Sequence, residues 1–586
     1  MQIPLRQYWF LLAKYLRSQN RKVALLTVLI FSSIGIQLIN PQIIRYFIDT
    51  ATSGGETGAL TLAAIVFLVA AVVRQAVAVG ATYVGEDVGW ASTNLLRRDL
   101  ARHCLYLDMA FHNEHTPGEF IERIDGDVST LANFFSQFTI QIVGNLILLM
   151  GVLILLFRED WRIGLAMGSF AGLMFVVLAR VRHLAIPHWR SARQSSADFY
   201  GFLEERLVGT EDLRANGAKA YTMRRFYELA RTFFRRELKA QAITMVSTSL
   251  SFILVTLGNA TALLLSAYLF QAGDLTIGAV YLIFHYTNIL TVPIQRISDQ
   301  IEDLQKAGAG IARIQEFMAL QPQVIDGPKR SAGGQRLPEG ALTVAFQNVS
   351  FAYNGTEPVL KNLSFQLKPG TVLGLLGRTG SGKTTITRLI TRLYDPREGH
   401  IQLGEVELRQ ARLADLRQRV GVVTQNVQLF QATVRDNLTL FDPRIPDEQI
   451  LATLEELGMG SWFQSLPEGL DAQLEAGGSG LSTGEAQLLA FARVFLKKPG
   501  LIILDEASSR LDPATERHLE QAINKLLRGR TAIIIAHHLA TLQRADEILI
   551  LDGGRIVEYG PREQLAANSR AHFHRLLQTG LAEVLA

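Results

Sequence analysis

Six apolar runs, near residues 23–44, 59–82, 137–157, 161–181, 247–270 and 277–295, limit what this chain can fold into. Crossing the hydrocarbon core of a bilayer takes about 20 mostly apolar residues in a helix. One such run could be a buried core helix; six of them ahead of residue 296 in a chain of 586 make a multi-pass membrane domain. The runs QFTIQIVGNLILLMGVLILLF and WRIGLAMGSFAGLMFVVLARV are the clearest. Arg74 interrupts the second run, where an ionisable side chain faces the bundle interior or an aqueous cavity, or else snorkels to the interface.

The connections between runs set orientation, because Lys and Arg accumulate on the cytoplasmic side. Residues 49–58 and 271–276 carry neither, and in the turn Arg158-Glu159-Asp160 the acids balance the arginine. These three connections face out. Residues 180–239 hold 13 basic against 7 acidic side chains and lie inside, so both termini are expected in the cytoplasm and the protein in the cell (inner) membrane. The two inside connections are too long for turns, which predicts that the span helices continue beyond the bilayer. The N-terminal stretch mixes Arg6, Lys14, Arg17, Arg21 and Lys22 with aromatics, and reads as an amphipathic helix on the membrane surface rather than a cleaved signal.

Composition closes other routes. A net charge of +4 without a dense basic patch gives no nucleic-acid footprint. The single cysteine, Cys104, rules out an intramolecular disulfide framework or a Cys-based zinc site. Beyond residue 320 the sequence changes character. A Gly/Pro-rich linker over 321–340 leads into residues 341–586, where short β-branched runs (VLGLLG, VGVVTQ, LIILD, TAIIIAH) alternate with helical stretches, the pattern of a parallel α/β sheet.

Within that half, Gly377-Arg378-Thr379-Gly380-Ser381-Gly382-Lys383-Thr384 fits the P-loop pattern in its required context, a strand before and a helix after. Glycines let successive backbone N–H groups turn towards phosphates at a helix N-terminus. Lys383 is expected to reach the β- and γ-phosphates of ATP and the Thr384 hydroxyl to ligate Mg²⁺, with Thr385 beside it among the binding residues. The apolar strand Leu501-Ile502-Ile503-Leu504 ends in Asp505 and Glu506. Asp505 suits the Mg²⁺ shell, and Glu506 is placed to polarise the attacking water. The expected fold is a multidomain membrane protein: a six-helix α transmembrane domain over 1–320, then an α/β P-loop NTPase domain over 341–586.

Together these features resemble an ATP-binding cassette (ABC) half-transporter of the exporter type, with the type IV exporter fold, over essentially the whole length. The resemblance implies further roles. Tyr353, in Phe351-Ala352-Tyr353, matches the aromatic that stacks on adenine. Gln425 matches the glutamine that senses Mg²⁺ and the water, and His537 the switch histidine on the γ-phosphate. Ser509-Arg510-Leu511-Asp512 resembles the loop that crosses between two cassettes. Phe111-His112 through Asp127 resembles the first cytoplasmic connection, so short helices around 110–117 and 216–223 are expected to dock on cassettes.

One motif departs from the family pattern. The signature, usually Leu-Ser-Gly-Gly-Gln, stands here as Leu481-Ser482-Thr483-Gly484-Glu485, and Ala476 falls where exporters usually carry an acid. Ser482 and Gly484 remain at the positions whose serine and glycine, in the family, bind the γ-phosphate held by the opposite cassette. Thr483 adds a β-branched side chain and Glu485 a negative charge. Intact hydrolytic parts with an altered signature resemble the catalytic-glutamate subunit of a heterodimeric exporter of hydrophobic or amphipathic substrates, a second half-transporter being its partner and lipids its surroundings. A homodimeric lipid flippase, an importer and an ATP-regulated channel remain open.

Overall fold

The computed structural model describes residues 14–131, 142–325, 334–353, 355, 357–478, 480–505, 513–536 and 542–579. The chain forms two compact units, one of Met1–Leu105 with Thr116–Leu320, the other of Tyr106–His115 with Gln321–Ala586.

The first unit is helical. Five of its described helices are long and apolar enough to cross a membrane: Lys14–Thr52, Thr57–Tyr106, Trp161–Val208, Lys219–Gln271 and Ile277–Ile297. The run at 137–157 begins outside the described residues, and its described part forms the helix Gly144–Glu159. As the long inside connections predict, several helices extend far past the apolar runs; Lys219–Gln271 has 53 residues, about 80 Å at 1.5 Å per residue. The proposed surface helix falls mainly on residues 1–13, outside the described residues. Arg74 is half-buried in the helix Thr57–Tyr106.

Two helix starts follow directly from the sequence. Asp160 accepts from the Arg162 N–H at 2.7 Å to cap Trp161–Val208, and the Thr276 hydroxyl accepts from the Ala279 N–H at 3.1 Å to cap the last helix. Ion pairs gather at this end of the unit. Arg45 pairs with Glu159 at 2.6 Å, and Arg162 bridges Asp160 and Asp274 at 3.0 and 2.9 Å. Asp49 accepts from the Gly278 N–H and the Thr276 hydroxyl, both at 2.9 Å. The helices pack through Val152, Leu156, Ile163, Met167, Leu282 and Tyr286, all fully buried, while Leu68, Val72 and Leu264 point outwards. Apolar side chains on both the inside and the outside are what lipid as a solvent selects.

The short helices differ in part from expectation. Met109–Glu114 forms where a helix around 110–117 is expected, with Pro117–Ile121 beyond it. The second short helix is Thr210–Ala215 rather than 216–223. Gly217, at φ 66°, makes the turn there, and Lys219 already opens the next long helix.

The second unit is built on a six-stranded sheet in the order Arg555–Pro561, Glu547–Asp552, Val372–Gly377, Thr531–Ile535, Leu501–Asp505, Val420–Val423. All neighbours are parallel except the edge strand Arg555–Pro561. A smaller antiparallel sheet holds Val344–Phe351 between Leu360–Leu367 and Glu398–Leu403. Strand side chains alternate between faces, and the cores follow that period. Ile503, Ile533 and Ile535 pack with Ile386 and Leu389 of the helix Lys383–Ile390. Ile502, Leu504, Ala532 and Ile534 pack with Leu488, Leu489 and Phe491 of the helix Thr483–Lys497. These two helices therefore occupy opposite faces of one sheet.

Candidate active site

The parallel strands bring the motifs to one edge. Val372–Gly377 runs into the P-loop, Asp505 ends its strand opposite Ile535, and Gln425 stands two residues past Val423. These four strands are consecutive in the sheet, so the motifs span about 14 Å at 4.8 Å per step. The carboxyl edge of such a sheet is where ligands bind in open α/β folds. Glu506, the crossing loop Ser509–Asp512 and His537 lie outside the described residues.

The P-loop has a shape that only glycine fits at two points. At Gly377, φ 149°, a Cβ would sit 2.3 Å from the Leu551 carbonyl oxygen; at Gly382, φ 108°, it would sit 2.5 Å from Leu360 Cδ2. Gly377→Ala is expected to displace the loop and weaken ATP binding at least about tenfold, the equivalent of roughly 1.4 kcal/mol of strain; titration with a fluorescent ATP analogue measures it. Around these points Arg378, Thr379, Gly380 and Thr384 are exposed. Lys383 is 7% exposed, and its ammonium donates to the carbonyls of Gly377 and Arg378 at 2.6 and 3.0 Å. Ser381 is 3% exposed, and its hydroxyl oxygen has no hydrogen-bond partner among the described residues. A buried polar atom of that kind awaits a ligand, and a phosphate oxygen supplies what the hydroxyl lacks. With Thr384, Gln425 and Asp505 the donor set is entirely oxygen, as Mg²⁺ requires.

Tyr353 is tied to this loop. Its hydroxyl lies 3.0 Å from the Thr385 hydroxyl and accepts from Arg388 at 3.1 Å, while its ring meets Tyr394 edge-on at 5.1 Å. Tyr394 extends the chain of contacts, since its hydroxyl accepts from the Asn113 amide at 2.7 Å. Burial pushes the Tyr394 phenol above its ordinary pKa. Asp108, just ahead of the helix Met109–Glu114, accepts from the N–H groups of Gln323 and Val324 at 2.5 and 3.1 Å. The helix Met109–Glu114 is thus held against the same unit that carries the P-loop. Tyr394, Arg388 and Asn113 are absent from the sequence reading, because a pair 281 residues apart leaves no local pattern.

The signature stands apart from the P-loop, at the start of the helix Thr483–Lys497. Ser482 and Glu485 form a reciprocal capping box. The Glu485 carboxylate accepts from the Ser482 N–H at 2.7 Å and from its hydroxyl at 2.9 Å, and the Ser482 hydroxyl accepts from the Glu485 N–H at 3.2 Å. Gly484 is buried behind them.

Comparison with known proteins agrees with this arrangement. Residues 23–294 match the ABC transporter transmembrane region family, and residues 360–509 match the ABC transporter family. The uncharacterized ABC transporter ATP-binding protein YknV of Bacillus subtilis is 30% identical over 573 residues, covering 96% of this chain and 92% of that protein. An ATP-dependent lipid A-core flippase of Pseudomonas fluorescens is 33% identical over 494 residues, covering 83% and 80%. A bacterial Atm1-family ABC exporter with ATP bound shares the fold, with a TM-score of 0.80 at 24% identity, covering 96% of this chain and 98% of that one. One membrane region joined to one ATP-binding cassette, matched over nearly the whole length, makes this chain a member of the ABC exporters of type IV fold, a multi-pass half-transporter whose ATPase activity drives export.

Proposed function

We propose that the chain exports a hydrophobic or amphipathic substrate across the cytoplasmic membrane as one half of a dimer, with both termini in the cytoplasm. The observation that carries the pairing is the placement of the P-loop helix and the signature helix on opposite faces of one sheet. Ser482 cannot reach the P-loop of its own chain, so a site that uses both takes them from two cassettes. ATP at two such sites closes the cassettes, and the long helices convert closure into alternating access.

In the site built on this chain's P-loop, Tyr353 stacks on adenine, and the amides from Arg378 to Thr384 with the Ser381 hydroxyl cradle the phosphates. Glu506 orients the water, while Lys383 and His537 stabilise charge on the transferring phosphoryl group. Thr384, Gln425 and Asp505 would hold Mg²⁺, which would supply positive charge beside the triphosphate. Ser482 and Gly484 serve the nucleotide of the other cassette.

The capping box favours a heterodimer. The hydroxyl proton of Ser482 is committed to the Glu485 carboxylate, which sets a negative charge beside the hydroxyl that the family uses for a γ-phosphate. The nucleotide completed by this signature is held poorly, and turnover concentrates in the other site. Glu485→Gln keeps the cap, since Gln serves in a capping box, and removes the charge. In the assembled pair it is expected to tighten ATP at that site about fivefold, read by ATP titration of cassette closure. Unchanged affinity would remove the ground for the heterodimer.

A further inference from the structure

Arg388 stands beside the proposed base-stacking ring, and neither the P-loop pattern nor the handling of phosphate calls for it. It lies on the helix Lys383–Ile390, three residues beyond Thr385 and so on the same face. Its guanidinium donates to the Tyr353 hydroxyl at 3.1 Å, and that hydroxyl lies 3.0 Å from the Thr385 hydroxyl. The guanidinium carbon is 5.7 Å from the ring centre, near the outer reach of a cation–π contact, about 6 Å. The cation therefore stands at the hydroxyl end of the ring and does not take the place of a stacked base over its middle. Phe351 and Tyr394 meet the ring at 85° and 87°, which fixes its tilt. Ring and guanidinium are thus held in one arrangement before any nucleotide arrives, which lowers the ordering cost of a contact made there.

A guanidinium carries five N–H donors in one plane. Among the described residues the Tyr353 hydroxyl is the hydrogen-bond partner of the half-buried Arg388 side chain, and no carboxylate pairs with it. The remaining donors are set for a ligand. Helix geometry says which part of a nucleotide they meet. Phosphates belong at the start of this helix, and Arg388 is five residues on from Lys383, about 7.5 Å along the axis. Of the two residues that hold the Tyr353 hydroxyl, Thr385 lies towards the phosphates and Arg388 away from them. The sugar, which joins base to phosphates, belongs on the Thr385 side, and the base edge with the 6-substituent on the Arg388 side. At that edge the purines differ. Guanine presents two acceptors, O6 and N7, which a guanidinium meets with two parallel bonds. Adenine presents one acceptor, N7, and an amino donor that opposes another donor.

We propose that Arg388 reads the 6-position edge of the base and makes this cassette bind guanine nucleotides on a par with adenine nucleotides. The proposal rests on the reading of Tyr353 as the stacking residue and adds a determinant of base choice to it. The test uses the full chain in detergent with Mg²⁺, titrated with ATP, GTP or inosine triphosphate (ITP) in competition with a fluorescent ATP analogue. ITP keeps O6 and N7 and lacks the 2-amino group of guanine. GTP and ITP are each expected to bind within about threefold of ATP, or more tightly. Arg388→Gln should weaken both at least about fivefold relative to ATP, the lower end for the loss of one bidentate pair, with ATP itself held within about twofold. Arg388→Lys, which keeps the charge without the fork, should fall between. Tyr353→Phe keeps the ring and removes the hydroxyl that holds the guanidinium, so it should lower GTP relative to ATP as well. It reads the same contact from its other end if the Arg388→Gln chain fails to fold. Arg417→Gln, an exposed charge on the helix Leu413–Arg419, should bind all three as the unaltered chain does.

GTP more than about threefold weaker than ATP in the unaltered chain would overturn the proposal. So would ITP that parts from GTP, or an Arg388→Gln chain that loses ATP and GTP equally, which would move Arg388 to the sugar or the phosphates. Tyr353→Ala should weaken all three nucleotides together. Unchanged binding in that variant is a failure of the stacking reading, distinguishable from a loss of base preference with stacking intact.

Discussion

Glu506→Gln is expected to lower steady-state ATP hydrolysis by at least about 100-fold while leaving ATP binding within about twofold. The strand Leu501–Asp505 is buried over its first four residues and ends at the edge where the P-loop begins, and Glu506, the next residue in the sequence, is the proposed water-positioning carboxylate. A general base or water-positioning carboxylate contributes about 10²–10⁴ in rate. Glutamine keeps the volume and hydrogen bonding but cannot take a proton. The signature of such a loss is a fall in kcat with KM held, since the interaction removed belongs to the transition state. ATP should then accumulate unhydrolysed in the closed pair. Full ATPase in the assembled dimer would remove Glu506 from the mechanism.

Lys383→Ala should abolish hydrolysis in a different way, by weakening ATP itself. The ammonium sits in a buried position with its donors turned to the Gly377 and Arg378 carbonyls. A triphosphate would draw it into charge-assisted bonds roughly twice as strong as neutral ones. Removing it takes away a charge from a site with little water, where one preorganised donor is worth about 10²–10³ in rate. It also leaves two carbonyls without their donor, at a cost of about 1–3 kcal/mol each where they are buried. ATP affinity, ATPase rate and cassette stability should fall together. Lys383→Arg should not rescue them, because the rigid guanidinium fork does not match a buried point-charge position. Thermal shift with and without ATP separates the two variants: stabilisation by ATP persists in Glu506→Gln and disappears in Lys383→Ala.

The parts of the molecule legible in the sequence are those written in local pattern. Apolar length announced the spans, and the P-loop, with its strand and helix on either side, announced the cassette. Asp160 and Thr276 stand at helix starts as their residue types suggest. The paired faces of the sheet were implicit in LIILD and TAIII, whose alternate residues divide between two cores. What stayed hidden depends on long-range contact. Asn113 meets Tyr394, Asp127 pairs with Arg313 and Asp108 holds the backbone at Gln323, and none of these partners can be named before the chain is folded. The second docking helix was displaced because Gly217 looked like part of a helix and is a turn. Glu485 was readable as a misplaced charge, yet its reciprocal bond to Ser482, which ties up the signature hydroxyl, needed the geometry of the cap.

The central claim is that this half-transporter has a competent P-loop and a signature obstructed by its own carboxylate, and so works with a second, different half. The most direct measurement is to purify the chain alone and together with a candidate second half-transporter, and to determine mass and ATPase rate for each. The account predicts a heterodimer whose ATPase exceeds that of the isolated chain at least about tenfold. A homodimer of this chain that hydrolyses ATP as fast as the pair would contradict it.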